Sequence, residues 1–159
     1  MIRPATPADH QAIAALTIEA FRADGQTRPD HPYEKALADV ERRASAGSLL
    51  VAELDGAVVG AVLFVLPDSD YAELSHEGEA EFRMLAVSPL VQGRGVGEAL
   101  VRACLDRARE NGCKSVVISV HSISQAAQRL YDRLGFVREP GLDWTPIPGV
   151  HLLGLRLDL

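Results

Sequence analysis

One stretch of the sequence decides the fold, Met84-Leu85-Ala86-Val87-Ser88-Pro89-Leu90-Val91-Gln92-Gly93-Arg94-Gly95-Val96-Gly97. It predicts a short apolar strand, a proline-marked turn and, after three glycines in five residues, an amphipathic helix. Glycines at alternate positions let backbone N–H groups approach a ligand without obstruction by Cβ atoms. At the start of a helix, these donors and the positive end of the helix dipole favour a bound diphosphate. We therefore expect this turn to hold the pyrophosphate of a nucleotide-like molecule or a coenzyme.

The spacing of the glycines argues against two other phosphate-binding motifs. A dinucleotide fingerprint, G-x-G-x-x-G counted from Gly93, would need a glycine where Glu98 stands. It would also need an acidic residue about 20 positions later, where the chain reads Gly112-Cys113-Lys114-Ser115. A P-loop needs Gly-Lys followed by Ser or Thr at the helix start, and the stretch has no lysine there.

The glycine-rich segment, residues 92–97, instead resembles the Q/R-x-x-G-x-G/A motif of the GNAT superfamily of N-acetyltransferases. A second segment, Ser124-Gln125-Ala126-Ala127-Gln128-Arg129-Leu130-Tyr131-Asp132-Arg133-Leu134-Gly135-Phe136, is similar to the family pattern N-x-x-A-x-x-L-Y-x-x-x-G-F. Ser124 departs from that pattern, because the family often has Asn there to contact the pantetheine arm. The resemblance covers residues 49–139 and identifies the chain as a member of the superfamily.

The resemblance implies direct transfer of an acetyl group from acetyl-CoA to a primary amine in a ternary complex. In that mechanism the Leu85 N–H stabilises the oxyanion and the Tyr131 hydroxyl protonates the departing thiolate. No metal ion and no cysteine nucleophile is needed, and Cys104 and Cys113 are interpreted as reduced thiols. The residues implied to bind the coenzyme are Leu85, Ala86, Val87, Gln92, Gly93, Arg94, Gly95, Val96, Gly97, Ser124, Ala127 and Tyr131.

The general base is expected on the strand over residues 79–87. Alternation along a strand places Glu79, Glu81 and Arg83 on one face, which would open into the acceptor cleft. Glu81 lies where several members of the superfamily place a glutamate base. Three alternatives stay open: a solvated strand end with Glu81 paired to Arg83, Glu79 as the base, or a chain of water molecules.

Composition favours one α/β domain over residues 1–159. The chain has 159 residues, is 47% hydrophobic and carries a net charge of −6, which disfavours nucleic acid as the main partner. Its longest apolar run, residues 57–66, is too short to span a membrane, and the N-terminus lacks the apolar core of a signal peptide. We expect a cytoplasmic monomer or homodimer.

Periodicity and turn signals predict a mixed sheet of six to seven strands with about four helices. A hairpin across Asp55-Gly56 is the strongest single turn signal. The predicted strands cover residues 2–5, 49–54, 57–66, 79–87, 115–120, 136–138 and 150–157. The predicted helices cover residues 7–23 and 33–46, the residues after Gly97 up to Asn111, and the segment around Tyr131.

The sequence indicates the chemical class of the acceptor but not its identity. Residues 68–81 contain six acidic side chains and no lysine or arginine, so their field would attract an amine. Trp144 and Asp143 lie in a loop that borders the acceptor site in relatives, and His121 follows a strand end near the coenzyme. The long loop over residues 67–78 narrows a peptide groove, which favours a small-molecule amine. A protein lysine or N-terminal acetyltransferase, and a coenzyme A-binding sensor without turnover, are the alternatives.

Overall fold

The computed structural model describes residues 1–159 and contains seven strands and five α-helices. Three short 3₁₀ turns, Pro7–Asp9, Pro89–Val91 and Pro140–Leu142, each begin at a proline. The strands are β1 (Ile2–Pro4), β2 (Ser48–Leu54), β3 (Ala57–Val65), β4 (Glu79–Val87), β5 (Ser115–His121), β6 (Val137–Arg138) and β7 (Leu152–Asp158). The helices are α1 (His10–Ala23), α2 (Tyr33–Ala38), α3 (Val40–Ala46), α4 (Val96–Glu110) and α5 (Gln125–Arg133).

All seven strands form one mixed sheet in the order β1-β2-β3-β4-β5-β7-β6. Only β4 and β5 run parallel, and they pair over three residues each, from Glu79 opposite Ser115 to Glu81 opposite Val117. Beyond that point the second half of β4 has no partner on β5. The two strands therefore separate towards their carboxyl ends, and a wedge opens in the middle of the sheet.

Two apolar layers cover the sheet. Leu50, Val62 and Phe82 pack under α4 and α5, whereas Val51 and Leu63 pack on the opposite face under α1 and α3. Each fully buried aliphatic or aromatic side chain contributes about 1.5–3 kcal/mol. None of the helices has the length and apolar character that crossing a lipid bilayer requires.

The structure confirms most of the predicted elements and corrects two of them. The turn residues Asp55 and Gly56 have φ angles of 51° and 80°, as a tight hairpin turn requires. The predicted helix over residues 33–46 is two helices, because Asp39 leaves helical geometry (φ −83°, ψ 71°) and its side chain accepts a hydrogen bond from the Arg42 N–H. This aspartate caps α3, so the chain has five helices rather than about four. The last strand begins at Leu152 rather than at residue 150.

Candidate active site

A cleft of about 610 Å³ lies where β4 and β5 separate, bounded by the end of α1, the start of α4 and one face of α5. Ten of the residues that the sequence predicted to bind the coenzyme line it: Leu85, Ala86, Val87, Gln92, Gly93, Gly95, Val96, Gly97, Ala127 and Tyr131. Arg94 and Ser124, predicted with them, do not line this cleft. The wedge in the sheet and the two sequence motifs thus meet in a single cavity.

The glycine turn, residues 92–97, forms the end of the cleft nearest α4. Gly93 and Gly95 both have φ of +79°, and a Cβ atom on either would meet no other atom within 4 Å. Glycine is therefore required at both positions by the backbone conformation and not by a close neighbour. The open space around each leaves room for a ligand. Gly95 precedes α4 and offers no side-chain cap, so the first N–H groups of the helix are available to an anion. Gln92 donates from Nε2 to the Val87 carbonyl at 3.2 Å and ties the turn to β4.

A β-bulge in β4 interrupts the ladder at the centre of the cleft. Residues Arg83 and Ala86 pair with Leu63 and Ala61 on β3, so one extra residue of β4 lies between the two pairs. Met84 takes a positive φ of 55°, and Leu85 has no pairing partner on either neighbouring strand. The bulge therefore changes the direction of the Leu85 backbone groups beside the cleft.

Arg43 supports the bulge from the face covered by α1 and α3. Its side chain is 1% exposed, and its Nη1 donates to the Leu37 carbonyl at 2.8 Å and approaches the Met84 sulfur at 3.4 Å. Burial lowers the pKa of this guanidinium. No pattern in the sequence marked Arg43, because a polar residue in a predicted helix is expected to face solvent.

Tyr131 presents its hydroxyl to the cleft from α5. The residue is 5% exposed, and its ring packs against Phe82 and Phe136 with centroid separations of 5.9 and 5.7 Å. These aromatic contacts fix the ring, while the hydroxyl makes no hydrogen bond to another protein group. Burial raises the pKa of Tyr131 above its usual value, so the hydroxyl keeps its proton at neutral pH.

Glu81 does not face the cleft. It is 1% exposed, and its two carboxylate oxygens accept hydrogen bonds at 3.0–3.2 Å from the backbone N–H groups of Glu73, Leu74 and Ser75. The carboxylate is therefore enclosed by the segment over residues 67–78. This arrangement argues against the predicted role of Glu81 as general base, because the carboxylate is buried, accepts backbone N–H groups through both oxygens and does not line the cleft.

The other two polar side chains on this face of β4 have partners of their own, and the predicted pairing of Glu81 with Arg83 is wrong. Arg83 does not pair with Glu81; it donates to the Tyr71 carbonyl at 3.1 Å and lies 3.4 Å from the Glu73 carboxylate. Glu79 is bound by Arg156 at 2.6 Å and by the His76 N–H at 2.9 Å. Burial alone would raise the pKa of Glu79, but these two donors lower it. Neither residue lines the cleft. The alternation along β4 predicted that these side chains share one face of the strand, but it did not predict which groups they contact.

Ser124 and Asp24 join the two helices that flank the cleft. Ser124 is 2% exposed, and its hydroxyl donates to Asp24 Oδ2 at 2.5 Å, which connects the start of α5 to the end of α1. The hydroxyl predicted to contact the pantetheine arm is thus held by an aspartate 100 residues away in the sequence. Sequence reasoning missed Asp24, which lines the cleft, because it lies in a polar loop without motif spacing.

The remaining residues singled out from the sequence, His121, Asp143 and Trp144, do not line the cleft. The Trp144 indole donates to the Ser119 hydroxyl at 3.2 Å, and His121 Nδ1 accepts from the Ile123 N–H at 3.3 Å. Burial lowers the pKa of His121. Asp143 is bound by Arg138 and the Gly154 N–H, which lower its pKa to about 2.

Both cysteines lie outside the cleft. Cys104 is buried on α4, where burial raises the pKa of its thiol to about 12, and burial also raises the pKa of Cys113. Such thiols are poor nucleophiles, because the thiolate is the reactive form. No group of three or more His, Cys, Asp or Glu side chains is placed to hold a metal ion.

Comparison with known proteins agrees with this geometry. The model of the acetyltransferase (GNAT) family matches residues 11–136. A mycothiol acetyltransferase from Sanguibacter keddieii is 34% identical over 137 residues, which cover 82% of this chain and 41% of that protein. The human N-acetylaspartate synthetase is 31% identical over 121 residues, 73% of this chain and 37% of that protein. The chain thus spans about two fifths of the length of these curated relatives.

Solved structures share the whole fold. A GNAT-family acetyltransferase from Staphylococcus aureus superposes with a TM-score of 0.78 at 13% identity, over 100% of this chain and 98% of the other. A proposed acetyltransferase from Salmonella typhimurium, solved with its cofactor acetyl-CoA, gives a TM-score of 0.67 at 29% identity, over 100% and 93%. The second of these is similar to this chain in both sequence and fold.

Proposed function

Because the chain belongs to the GNAT family of acetyltransferases, we propose that it moves the acetyl group of acetyl-CoA to a primary amine by direct attack in a ternary complex. The observation that carries this proposal is the single cleft that holds the glycine turn, the bulge at Leu85 and the Tyr131 hydroxyl. The cleft therefore offers N–H donors for the pyrophosphate, an N–H that can polarise the thioester carbonyl and a proton donor for the departing thiolate.

The residues that line the cleft match the chemical groups of the coenzyme. The pyrophosphate would accept hydrogen bonds from the N–H groups of the glycine turn, where Gly93 and Gly95 leave open space. The pantetheine arm would follow Leu85, Ala86 and Val87, the part of β4 that has no partner on β5. Ala127 and Tyr131 on α5 form the opposite wall.

Two protein groups act on the reacting atoms in this proposal, the Leu85 N–H and the Tyr131 hydroxyl. The amine nitrogen attacks the thioester carbonyl, a C–N bond forms, and the Leu85 N–H stabilises the negative oxygen. The C–S bond then breaks, and Tyr131 donates its proton to the departing thiolate. The acetyl group passes directly to the amine because neither thiol of the protein lies in the cleft.

We propose a small-molecule amine as the acceptor. Both curated relatives carry names that refer to small molecules, mycothiol and N-acetylaspartate. The 67–78 segment covers the Glu81 side chain, so this part of β4 is closed to an extended peptide. A protein lysine or N-terminal amine is the second candidate, and the acidic side chains of this segment would attract either kind of acceptor.

Acetyl-CoA-dependent thiol release with a panel of amines, amino acids and lysine peptides tests the proposal. We expect release that depends on one class of small amine and saturates with its concentration. Release with peptides alone would favour the protein-modifying alternative. Tight binding of acetyl-CoA without release from any acceptor would overturn the proposal in favour of a sensor.

Replacing Tyr131 with Phe tests the proton donor. Tyr131→Phe keeps the ring and its contacts with Phe82 and Phe136, so we expect acetyl-CoA affinity to change little. Turnover should fall by about 10²- to 10⁴-fold, the usual effect of one acid–base group. Steady-state kinetics and calorimetry measure the two quantities. Unchanged turnover with a lowered melting temperature would make Tyr131 a packing residue.

A further inference from the structure

Asp24 is a carboxylate that lies in the cleft with one oxygen free. Its Oδ2 accepts hydrogen bonds from the Ser124 hydroxyl at 2.5 Å and from Gln26 Nε2 at 2.8 Å. Its Oδ1 accepts none, and Asp24 takes part in no salt bridge. Ser124 and Gln26 thus fix the carboxylate while leaving an unpaired acceptor oxygen on it.

The other acidic residues near the site are already bound. Glu81 is enclosed by three N–H groups, and Glu79 is bound by Arg156. Glu98, the other acidic residue that lines the cleft, lies 3.3 Å from Arg102 and belongs to the first turn of α4, beside the glycine turn. Asp24 is therefore the carboxylate of the cleft that lies away from the pyrophosphate end and has no cationic partner.

Two titratable groups on neighbouring elements interact with the charge of Asp24, His121 at the end of β5 and Tyr131 on α5. The other charged side chains that line the cleft are Arg129 and Arg133 on α5 and Glu98 on α4. His121 Nδ1 already accepts the Ile123 N–H, so the neutral ring carries its proton on Nε2 and has no free lone pair. Neither arginine is paired with Asp24, so its negative charge is available to a ligand.

An amine acceptor reaches any enzyme at neutral pH mainly as an ammonium ion, which must be bound and deprotonated before it attacks. Building on the proposed acetyl transfer, we propose that Asp24 is a catalytic residue, which binds the acceptor ammonium and takes up the proton that it loses. The role that the sequence suggested for Glu81 thereby moves from β4 to the end of α1.

Every proton in this step is accounted for without another reagent. The ammonium transfers one proton to Asp24, and the neutral nitrogen forms the C–N bond to the acetyl carbon. The C–S bond breaks as Tyr131 protonates the thiolate, and the nitrogen's second proton restores the Tyr131 hydroxyl. Asp24 then releases its proton to water, so the products are the N-acetyl amine, the free thiol and one proton.

Asp24→Asn tests the assignment with the acceptor that the amine panel identifies. Asn keeps the size of the side chain and an oxygen for Ser124, but it cannot take a proton. We expect kcat/KM for the amine to fall by about 10²-fold or more, with acetyl-CoA affinity unchanged. The rate–pH profile should lose its low-pH limb, and Asp24→Glu should restore part of the activity together with that limb.

Ser124→Ala is the control, since it removes the hydrogen bond to Asp24 and leaves the carboxylate. We expect Ser124→Ala to keep the low-pH limb whatever its effect on turnover. An Asp24→Asn variant that keeps the limb overturns the assignment, and loss of the limb in His121→Gln instead would give the role to His121. Wild-type protein that releases no thiol with any amine overturns the proposed function and this role together, whereas normal wild-type turnover with an unaffected Asp24→Asn variant overturns this role alone.

Discussion

At the scale of single residues, the Glu81 carboxylate is surrounded by the amides of Glu73, Leu74 and Ser75. Glu81→Gln places an NH₂ group against these donors, so at least one buried N–H loses its acceptor. We expect the free energy of unfolding to fall by about 1–3 kcal/mol, the cost of an unsatisfied buried donor. Urea unfolding measures this quantity, and limited proteolysis should show faster cleavage within the 67–78 segment.

Glu77→Gln is the matched control, because Glu77 lies in the same segment but is exposed. We expect this variant to unfold like the wild type. The rate–pH profile of Glu81→Gln should keep its low-pH limb. If the limb disappears while stability is unchanged, Glu81 is the general base after all.

The Glu81 environment also shows where prediction from sequence reaches its limit. The alternation of β4 correctly placed Glu79, Glu81 and Arg83 on one face, because the period of a strand is a local property. The partners of these side chains come from the path of the 67–78 segment and from Arg156, 77 residues away from Glu79. No local pattern specifies such contacts, and Asp24 escaped prediction for the same reason.

At the scale of elements, the glycine turn depends on backbone conformation and on empty space. Gly95→Asp introduces a side chain at φ +79° and a negative charge among the N–H groups of α4. We expect calorimetry to detect no binding of coenzyme A, because the carboxylate would repel the pyrophosphate and compete for its donors.

Gly56→Asp provides the matched control for backbone strain. Gly56 has φ +80° in the β2–β3 hairpin and, like Gly95, no atom within 4 Å of a Cβ position. Both variants should therefore lose similar stability, while only Gly95→Asp loses the coenzyme. Equal coenzyme affinity in Gly95→Asp and wild type would refute the assignment of the turn.

The break between α2 and α3 is an element that the sequence pattern obscured. Apolar residues continue at helical spacing through Leu37 and Val40, so periodicity predicts one helix across the break. Asp39 between them is an N-cap residue, and its side chain binds the Arg42 N–H. The hairpin at Asp55-Gly56 and the helix after the glycine turn were predictable, because the turn residues themselves impose those conformations.

At the scale of the whole molecule, two Arg–carboxylate pairs fasten the ends of the sheet. Asp9 binds Arg3 of β1, and Asp143 binds Arg138 of β6 and the Gly154 N–H of β7. Arg3 holds the pKa of Asp9 far below its usual range, and Arg138 lowers that of Asp143 to about 2. Because folding lowers both pKa values, the pairs stabilise the protein at pH values above about 3.9, the pKa of an aspartate in the unfolded chain. The contribution of the Asp143 pair is lost as the pH falls towards 2, and that of the Asp9 pair is lost only at lower pH.

Thermal unfolding between pH 7 and pH 2 tests this linkage. We expect Asp143→Asn to melt below the wild type by a constant interval from pH 7 to about 4, above the pKa of an aspartate in the unfolded chain. The interval should shrink at lower pH as the wild-type carboxylate becomes protonated. A difference in Tm that is as large at pH 2 as at pH 7 would show that the Asp143 charge does not contribute.

In the proposed reaction the acetyl group passes from acetyl-CoA directly to an amine bound in the cleft. The most direct test uses acetyl-CoA with a deuterated acetyl group, together with the acceptor identified by the amine panel. Mass spectrometry then follows the label on the acceptor and on the intact protein while released thiol is counted. We predict one labelled N-acetyl product per thiol, many turnovers per enzyme and no label on the protein. Thiol released without a labelled amide, or label retained on the protein, would rule out direct transfer to the amine.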